Sequence, residues 1–215
     1  QRLGRHVVLI GHAGHPEVIG TMGQLPEGSV TLVETEEDAA RMKRPGDGEL
    51  GFVTQTTLSV DDTAGVIRAL QARFPDIVAP SAESICYATT NRQEAVKQAA
   101  PGSDLFLIVG APNSSNSKRL VEVALRAGAT DALLVQGVDD IPWEKVGTTS
   151  VIGLSAGASA PEILVDEIVE AFQARFDTQV ELAITVEETE NFPVMRDLRD
   201  VELLPADMAF LNGKG

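Results

Sequence analysis

The sequence has a single cysteine, Cys86, among its 215 residues, so the chain cannot form an internal disulfide. A chain of this kind suits a reducing compartment, and we expect a cytoplasmic protein. Long apolar runs are also missing, since no stretch approaches the roughly 20 residues that a membrane-spanning helix needs. These two absences exclude a disulfide scaffold and predict a protein without a membrane partner.

Positive charge is scarce, with 17 Lys and Arg residues against 32 Asp and Glu residues and a formal net charge of −15. Such a chain repels nucleic acid and anionic membrane surfaces overall, so we expect no nucleic-acid partner. Backbone amides, hydroxyls and imidazoles can still form a local pocket for an anion. The charge therefore leaves a small anionic ligand as an open possibility.

Aromatic residues make up only 4% of the chain, so its core must consist mainly of Val, Ile, Leu and Ala. Short runs of these residues recur, and each run is too short for a helix. This composition is typical of buried parallel strands flanked by helices. The predicted strands are 6–11, 31–35, 50–55, 76–79, 105–110, 132–137 and 151–155.

Helix signals lie between these runs. Two aspartates, Asp61 and Asp62, precede a predicted helix over 63–74. A serine pair precedes a helix that ends at Gly128, and Pro161 opens a helix over 163–176. Alternating strands and helices predict an α/β fold with mostly parallel sheets.

The predicted elements divide near residues 81–84 into two similar units. We therefore expect two parallel-sheet α/β domains, 1–82 and 83–176. The remaining residues, 177–215, are acidic, with Glu187, Glu188 and Glu190 close together. They are predicted to form a C-terminal tail that belongs to neither core.

Five loops at predicted strand ends are dense in small hydroxyl and amide side chains. Ligands of parallel sheets bind beyond the carboxyl ends of the strands, facing helix N-termini. Ser, Thr and Asn at such positions often serve only as helix caps, but Ser114-Ser115-Asn116-Ser117 is richer than one cap requires. The loops, which could together bind an anion, are 11–21, 54–62, 86–93, 110–118 and 155–161.

One of these loops carries His12, His15 and Glu17. Imidazoles can donate hydrogen bonds to phosphate oxygens, and Glu17 is a candidate proton donor. The alternative is that these are ordinary polar residues at a strand end. A histidine-based metal site is disfavoured, because His6 is the only other histidine.

The lone Cys86 permits three interpretations: inert packing, a nucleophile with a partner base, or one ligand of an iron–sulfur cluster. One cysteine cannot hold a [4Fe–4S] cluster by itself. The third interpretation therefore requires cysteines that are not in this sequence.

Taken in order, these loops resemble the LytB family of 4-hydroxy-3-methylbut-2-enyl diphosphate reductases. The resemblance implies reduction of (E)-4-hydroxy-3-methylbut-2-enyl diphosphate to isopentenyl and dimethylallyl diphosphates, the last step of the non-mevalonate isoprenoid pathway. The matching stretches are 11–24 (GHAGHPEVIGTMGQ), 52–62 (FVTQTTLSVDD), 85–95 (ICYATTNRQEA), 113–120 (NSSNSKRL) and 156–161 (AGASAP).

The resemblance also implies a cofactor and partners. Members of the family form a trefoil of three α/β domains around one [4Fe–4S] cluster, which three cysteines bind. Cys86 matches the last of these cysteines. Electrons are expected from ferredoxin or flavodoxin.

Roles for the loop residues follow from the same resemblance. Glu17 matches the acid that protonates the leaving hydroxyl group and the allyl intermediate, and Thr56 matches a threonine in its proton network. Gln55 and Asn113 are neighbours with weaker claims. The residues that match contacts to the substrate diphosphate are His15, Ser114, Ser115, Asn116 and Ser159.

The resemblance begins after the family's N-terminal domain. We therefore expect that domain, roughly 100 residues with two cluster cysteines, to be absent from this chain. The chain alone should then be inactive. An alternative function is a phosphate-binding α/β module without redox chemistry, and a further one is a non-catalytic interaction protein with an acidic surface.

Overall fold

The computed structural model describes residues 4–80, 85–147 and 150–186. It contains two three-stranded parallel sheets with the orders β2-β1-β3 and β5-β4-β6. This arrangement confirms the predicted α/β class with parallel sheets. The strands are β1 (His6–Ile10), β2 (Val30–Val33), β3 (Leu50–Thr54), β4 (Leu105–Val109), β5 (Ala132–Val135) and β6 (Ile152–Ala156).

Helices connect and flank the strands. None of the helices in the described ranges is both long and apolar enough to cross a membrane. Short 3₁₀ turns lie at Val138–Asp140 and Trp143–Lys145. The α-helices are α1 (Pro16–Gly23), α2 (Glu36–Arg41), α3 (Val60–Arg73), α4 (Tyr87–Ala99), α5 (Ser115–Ala127) and α6 (Glu162–Arg175).

In each sheet the first strand of the three lies in the centre. The chain therefore passes to one side and then to the other, which creates a topological switch point at the carboxyl end of the central strand. In the first sheet, Ile10 pairs with both Val33 and Thr54. In the second, Val109 pairs with both Val135 and Ala156. The loops after the strands of each sheet thus leave from one common edge.

Burial explains why these runs form strands. All five residues of β4 are buried, because helices cover both faces of the second sheet. On one face Phe106 and Ile108 belong to an apolar cluster with α4 and α5, and on the other Leu107 and Val109 belong to a cluster with α6. In the first sheet, Val8 joins an apolar cluster with α2 and α3.

The sequence prediction is wrong in several details. Residues 76–79 form no strand and make a single bridge between Val78 and Gly51, because prolines at both ends of this segment restrict pairing. The helix predicted from residue 63 begins at Val60, since Ser59 accepts a hydrogen bond from the Asp62 amide and caps it. Pro161 is the N-cap of α6 rather than its first residue.

The domain boundary predicted near 81–84 lies outside the described residues, and the division into 1–82 and 83–176 stays a prediction. Residues 177–186 form neither helix nor strand. The rest of the predicted acidic tail, including Glu187, Glu188 and Glu190, also lies outside the described residues.

Polar contacts join α3 to the helices of the second sheet. Asp62 accepts two hydrogen bonds from Arg126, at 2.8 and 2.9 Å, and Asp61 pairs with Lys97 at 2.9 Å. The fully buried Gln93 donates to the Leu58 carbonyl and accepts from the amide at the start of α3. The two halves are therefore held together by ion pairs and a buried amide.

The Asp62 contacts predict acid sensitivity. Burial by itself raises the pKa of Asp62. Hydrogen bonds from Arg126 and Ser59 and the charges of Arg126 and Arg119 lower it, and together they outweigh burial, so the net shift of the pKa is downward. A carboxyl with a lowered folded-state pKa stabilises the fold above its unfolded-state pKa, and the contribution disappears as the pH falls through the folded-state pKa. At pH 7, Asp62→Asn should therefore melt at a lower temperature than the wild type.

This difference in melting temperature should narrow progressively below about pH 4. Thermal unfolding followed by circular dichroism across pH 7 to 2 measures it. Asp139→Asn, at an exposed aspartate, is the control and should show little difference at any pH. A deficit in Asp62→Asn that does not change with pH would contradict the account.

Candidate active site

His15 links the loop after β1 to the first turn of α5. It is the N-cap of α1, and its Nδ1 accepts the backbone N–H of Glu17 at 3.2 Å. Because Nδ1 accepts, Nε2 is the nitrogen that carries the proton, and it donates to Ser115 Oγ at 2.7 Å. The ring is therefore fixed in orientation by contacts to both halves of the chain.

Glu17 and Thr56 form a two-point contact. Glu17 Oε1 accepts the Thr56 backbone N–H at 2.9 Å, and Oε2 accepts the Thr56 hydroxyl at 3.0 Å. Thr56 follows β3, and Glu17 lies in the first turn of α1, so the contact spans the switch point of the first sheet. Both carboxylate oxygens are engaged, which holds the acid in one orientation.

The same threonine contacts the cysteine. The Thr56 carbonyl accepts the Cys86 backbone N–H at 3.3 Å. Cys86 is the N-cap of α4, but its side chain makes no capping hydrogen bond, and the residue is exposed. Cys86 is therefore next to Thr56 through its backbone, and its exposed side chain is available to another group.

The first turn of α5 forms the other side of the site. Ser114 is its N-cap and accepts from the Ser117 backbone N–H at 3.2 Å and from the Ser117 hydroxyl at 3.0 Å. The Ser117 side chain fills the space beside Gly110 and Gly157, where a Cβ atom on either glycine would overlap with it. This close packing brings the loops after β4 and β6 together.

Asn116 has unused hydrogen-bonding capacity. The residue is only 7% exposed, and its Oδ1 is buried without a hydrogen-bond partner among the described residues. A Cβ atom added to Gly157 would lie 3.7 Å from Asn116 Nδ2, so the Asn116 amide borders the loop after β6. A buried amide oxygen without a partner is uncommon, and it can accept a hydrogen bond from a ligand or a water molecule.

The structure brings most of the predicted site residues into one connected set. Direct hydrogen bonds join Cys86, Thr56 and Glu17, and a further one joins His15 to Ser115. Ser159 is the exception: it lies exposed in the turn after β6, two residues after Gly157, which packs against the Ser117 side chain. The proximity is observed, while the chemical role of each residue remains a prediction.

Two further polar residues, the buried Gln55 and the partly buried Arg119, lie beside this set. Gln55 is 1% exposed, accepts the His12 backbone N–H at 3.1 Å and donates to Thr57 at 3.2 Å. Arg119 was missed by the sequence analysis, although its guanidinium Nη2 lies 3.1 Å from His12 Nε2. The available signal was its spacing, since a residue four positions after Ser115 lies on the same helix face.

Across the described ranges, no group of three or more His, Cys, Asp or Glu residues could hold a metal ion.

The tight packing around Ser117 predicts a strong effect of a small substitution. Gly157→Ala should destabilise the fold by about 1–3 kcal/mol, because the added Cβ would overlap with the Ser117 side chain. Denaturant unfolding measures this change in the free energy of unfolding. Gly137→Ala is the matched control, since Gly137 follows β5 in an extended conformation and no atom of the described residues lies within 4 Å of its Cβ position. Equal stability of the two variants would contradict the predicted packing.

The fold and site define the class: an α/β protein with a polar site at the switch points of two parallel sheets. The chain matches the LytB protein family over residues 1–173. The chain belongs to the LytB protein family.

Similar proteins carry consistent names. The chain is 76% identical to a 4-hydroxy-3-methylbut-2-enyl diphosphate reductase of Mesorhizobium japonicum, and the match covers 99% of the chain and 63% of that protein. It is 72% identical to a protein of the same name from Brucella abortus, covering 100% of the chain and 62% of that protein. The chain thus spans less than two thirds of the length of these curated relatives.

The fold of this chain is similar to that of a solved structure. The E-1-hydroxy-2-methyl-but-2-enyl-4-diphosphate reductase from Plasmodium falciparum matches with a TM-score of 0.81 and 31% sequence identity. That match covers 99% of this chain and 64% of the other. The arrangement of the two sheets is therefore shared with a distant relative.

Proposed function

We propose that this chain is part of a 4-hydroxy-3-methylbut-2-enyl diphosphate reductase. The enzyme would reduce (E)-4-hydroxy-3-methylbut-2-enyl diphosphate to isopentenyl and dimethylallyl diphosphates in the cytoplasm. Residues 1–82 and 83–176 would be two of its three α/β domains. The observation that carries the proposal is the contact set that joins a carboxylate, a threonine and an exposed cysteine: Glu17, Thr56 and Cys86.

The substrate diphosphate would bind at the first turn of α5. Ser114, Ser115 and Asn116 offer hydroxyl, amide and backbone donors there, and the positive end of the helix dipole favours an anion. His15 already donates to Ser115 and could donate instead to a phosphate oxygen. Ser159 would contribute a further hydroxyl. Neutral donors of this kind explain how a chain of net charge −15 could bind a diphosphate.

The reaction breaks the bond between carbon and the leaving hydroxyl group. It consumes two electrons and two protons: one proton leaves with the hydroxyl oxygen as water, and the other is added to the allylic carbon skeleton. Glu17 would deliver a proton, with Thr56 holding the carboxyl group in place through two hydrogen bonds. The acid thus works from a fixed orientation.

A [4Fe–4S] cluster would be the cofactor, and Cys86 fits as one of its ligands. Its side chain is exposed, makes no capping bond and lies at a helix N-terminus, where a negatively charged group is favoured. This is the only cysteine of the sequence, so further ligands must come from outside these 215 residues. When bound, such a cluster supplies electrons and a Lewis-acidic iron, with ferredoxin or flavodoxin as the electron source.

A chimera tests the proposal. In it, these 215 residues replace the matching part of the Mesorhizobium japonicum reductase. After anaerobic cluster assembly, the chimera should convert the allylic alcohol diphosphate to the two products at a rate close to that of the parent enzyme. A chimera that assembles its cluster and binds pyrophosphate but forms no product would contradict the proposal and favour a binding module without redox chemistry.

A further inference from the structure

Arg119 reaches from the second half of the chain to the loop that carries His15 and Glu17. It lies on α5, one turn after Ser115, and its side chain is 15% exposed. Guanidinium groups only donate hydrogen bonds, so the contact of Nη2 with His12 Nε2 at 3.1 Å requires that nitrogen to be unprotonated. Arg119 therefore selects the tautomer of His12 in which Nδ1 carries the proton.

That tautomer fits the other side of the ring. His12 Nδ1 lies 3.8 Å from Glu34 Oε2, and the same oxygen accepts the Ala13 backbone N–H at 2.9 Å. The two histidines of this loop thus have opposite tautomers, because His15 carries its proton on Nε2. Each assignment follows from a hydrogen bond to a group that can act only as a donor.

The charge of Arg119 is already balanced. Its Nη1 pairs with Glu122 and lies 3.8 Å from Asp62 Oδ2. Its Nε is buried without a hydrogen-bond partner among the described residues. Because two carboxylates lie beside it, the Arg119 guanidinium adds little net attraction for an anion. Its main contribution is the fixed direction of its hydrogen bond to His12.

By holding His12, Arg119 also fixes the residues that follow His12 in the loop. The His12 carbonyl accepts the His15 backbone N–H at 3.1 Å, so the position of His12 sets the start of α1. Glu17 lies in the first turn of this helix. A displacement of His12 would therefore move both the predicted diphosphate ligand and the predicted acid.

We infer that Arg119 is a positioning residue of the diphosphate site, which acts by holding His12 in its Nδ1–H tautomer and thereby fixing the loop of His15 and Glu17. This inference rests on the proposed function for the identity of the ligand. The tautomer of His12 does not depend on the proposed function, because the hydrogen-bond geometry alone defines it.

Nitrogen NMR of the imidazole rings tests the tautomer in the 215-residue chain. The sequence has three histidines, so their ring signals can be assigned by substituting each in turn. In the wild type, His12 should carry its proton on Nδ1 and His15 on Nε2. In Arg119→Met, His12 should lose this single tautomer while His15 keeps its own. A wild-type His12 protonated on Nε2 would overturn the inference without any variant.

Arg126→Met is the matched control. Arg126 lies on the same helix and pairs with the same Asp62, but the contacts of its guanidinium do not include His12. The control should lose stability without any change in the His12 tautomer. Arg119→Lys keeps the positive charge between Asp62 and Glu122 but lacks the planar fork, so it should fold and still alter the His12 signal. If the His12 tautomer changes as much in Arg126→Met as in Arg119→Met, the change is a general consequence of destabilisation. That result would overturn the inference.

Titration with inorganic pyrophosphate separates this inference from the proposed function. Arg119→Met should bind pyrophosphate about tenfold more weakly than the wild type, the equivalent of one charge-assisted hydrogen bond, whereas Arg126→Met should not. A chimera that has the predicted tautomers but binds no pyrophosphate would contradict the proposed function alone. Unchanged pyrophosphate affinity in Arg119→Met, alongside wild-type binding, would overturn the positioning role alone.

Discussion

Glu17→Gln in the chimera should lower the turnover number by about 10²- to 10⁴-fold, the usual contribution of a general acid. The amide has one acceptor oxygen in place of two, so it keeps at most one of the hydrogen bonds from Thr56 and has no acidic proton to deliver. The loss should lie in the turnover number more than in the Michaelis constant, because Glu17 is not among the predicted diphosphate contacts. Steady-state kinetics with a chemical reductant measure both constants.

Two further measurements make the Glu17 result specific. The visible spectrum and iron content of the variant should equal those of the unsubstituted chimera, which excludes loss of the cluster as the cause. Glu27→Gln is the matched control, since Glu27 is an exposed carboxylate in the turn that follows α1. Turnover in Glu17→Gln equal to that of Glu27→Gln would contradict the role of proton donor.

Cys86→Ala should abolish stable cluster assembly in the chimera. The physical reason is the ligand count, because the loss of one thiolate exposes another iron to water and exchange. Iron and sulfide analysis after anaerobic reconstitution, together with the visible absorption, measures the outcome. We expect the variant to retain far less iron than the unsubstituted chimera and to lose turnover entirely.

Ser114→Ala distinguishes the cluster ligand from the diphosphate site. This substitution removes the cap of α5 and a predicted phosphate donor, so the affinity for the substrate should fall while the cluster content stays unchanged. Cys86→Ala should show the reverse pattern, with pyrophosphate still bound and iron lost. A Cys86→Ala variant that keeps a full, stable cluster would show that the cysteine is not a ligand.

Local signals account for the parts of the fold that the sequence predicted well. Ser114 and Gly128 delimit α5 as expected, because a side-chain cap and a left-handed glycine act within one turn of the helix. The central strands were recognised from uninterrupted apolar runs, which only burial on both faces explains. The short helix α2 escaped detection, although Thr35 and Asp38 form a capping box there.

The errors arose where tertiary contacts or competing signals decide the outcome. Asp61 and Asp62 do not precede α3 as predicted, because Ser59 caps the helix. The two aspartates lie in its first turn, where they interact favourably with the helix dipole and pair with Lys97 and Arg126. Nothing local in the sequence distinguishes a cap from an acidic first-turn residue.

The site could be predicted only in part. Sequence reasoning identified the polar loops, since small hydroxyl and amide residues at strand ends are a local feature. It could not identify the contacts, because Glu17 and Thr56 are 39 positions apart and His15 and Ser115 are 100 apart. Arg119 and Gln93 were missed for the same reason: their partners lie in the other half of the chain.

A crystal structure of the chimera with its cluster and bound substrate is the most direct test of the central claim. We predict diphosphate oxygens within about 2.7–3.2 Å of donors on His15, Ser115 and Asn116, an iron bonded to Cys86 Sγ, and the Glu17–Thr56 pair beside the substrate hydroxyl group. A diphosphate bound away from the first turn of α5, or a cluster that does not use Cys86, would contradict the account.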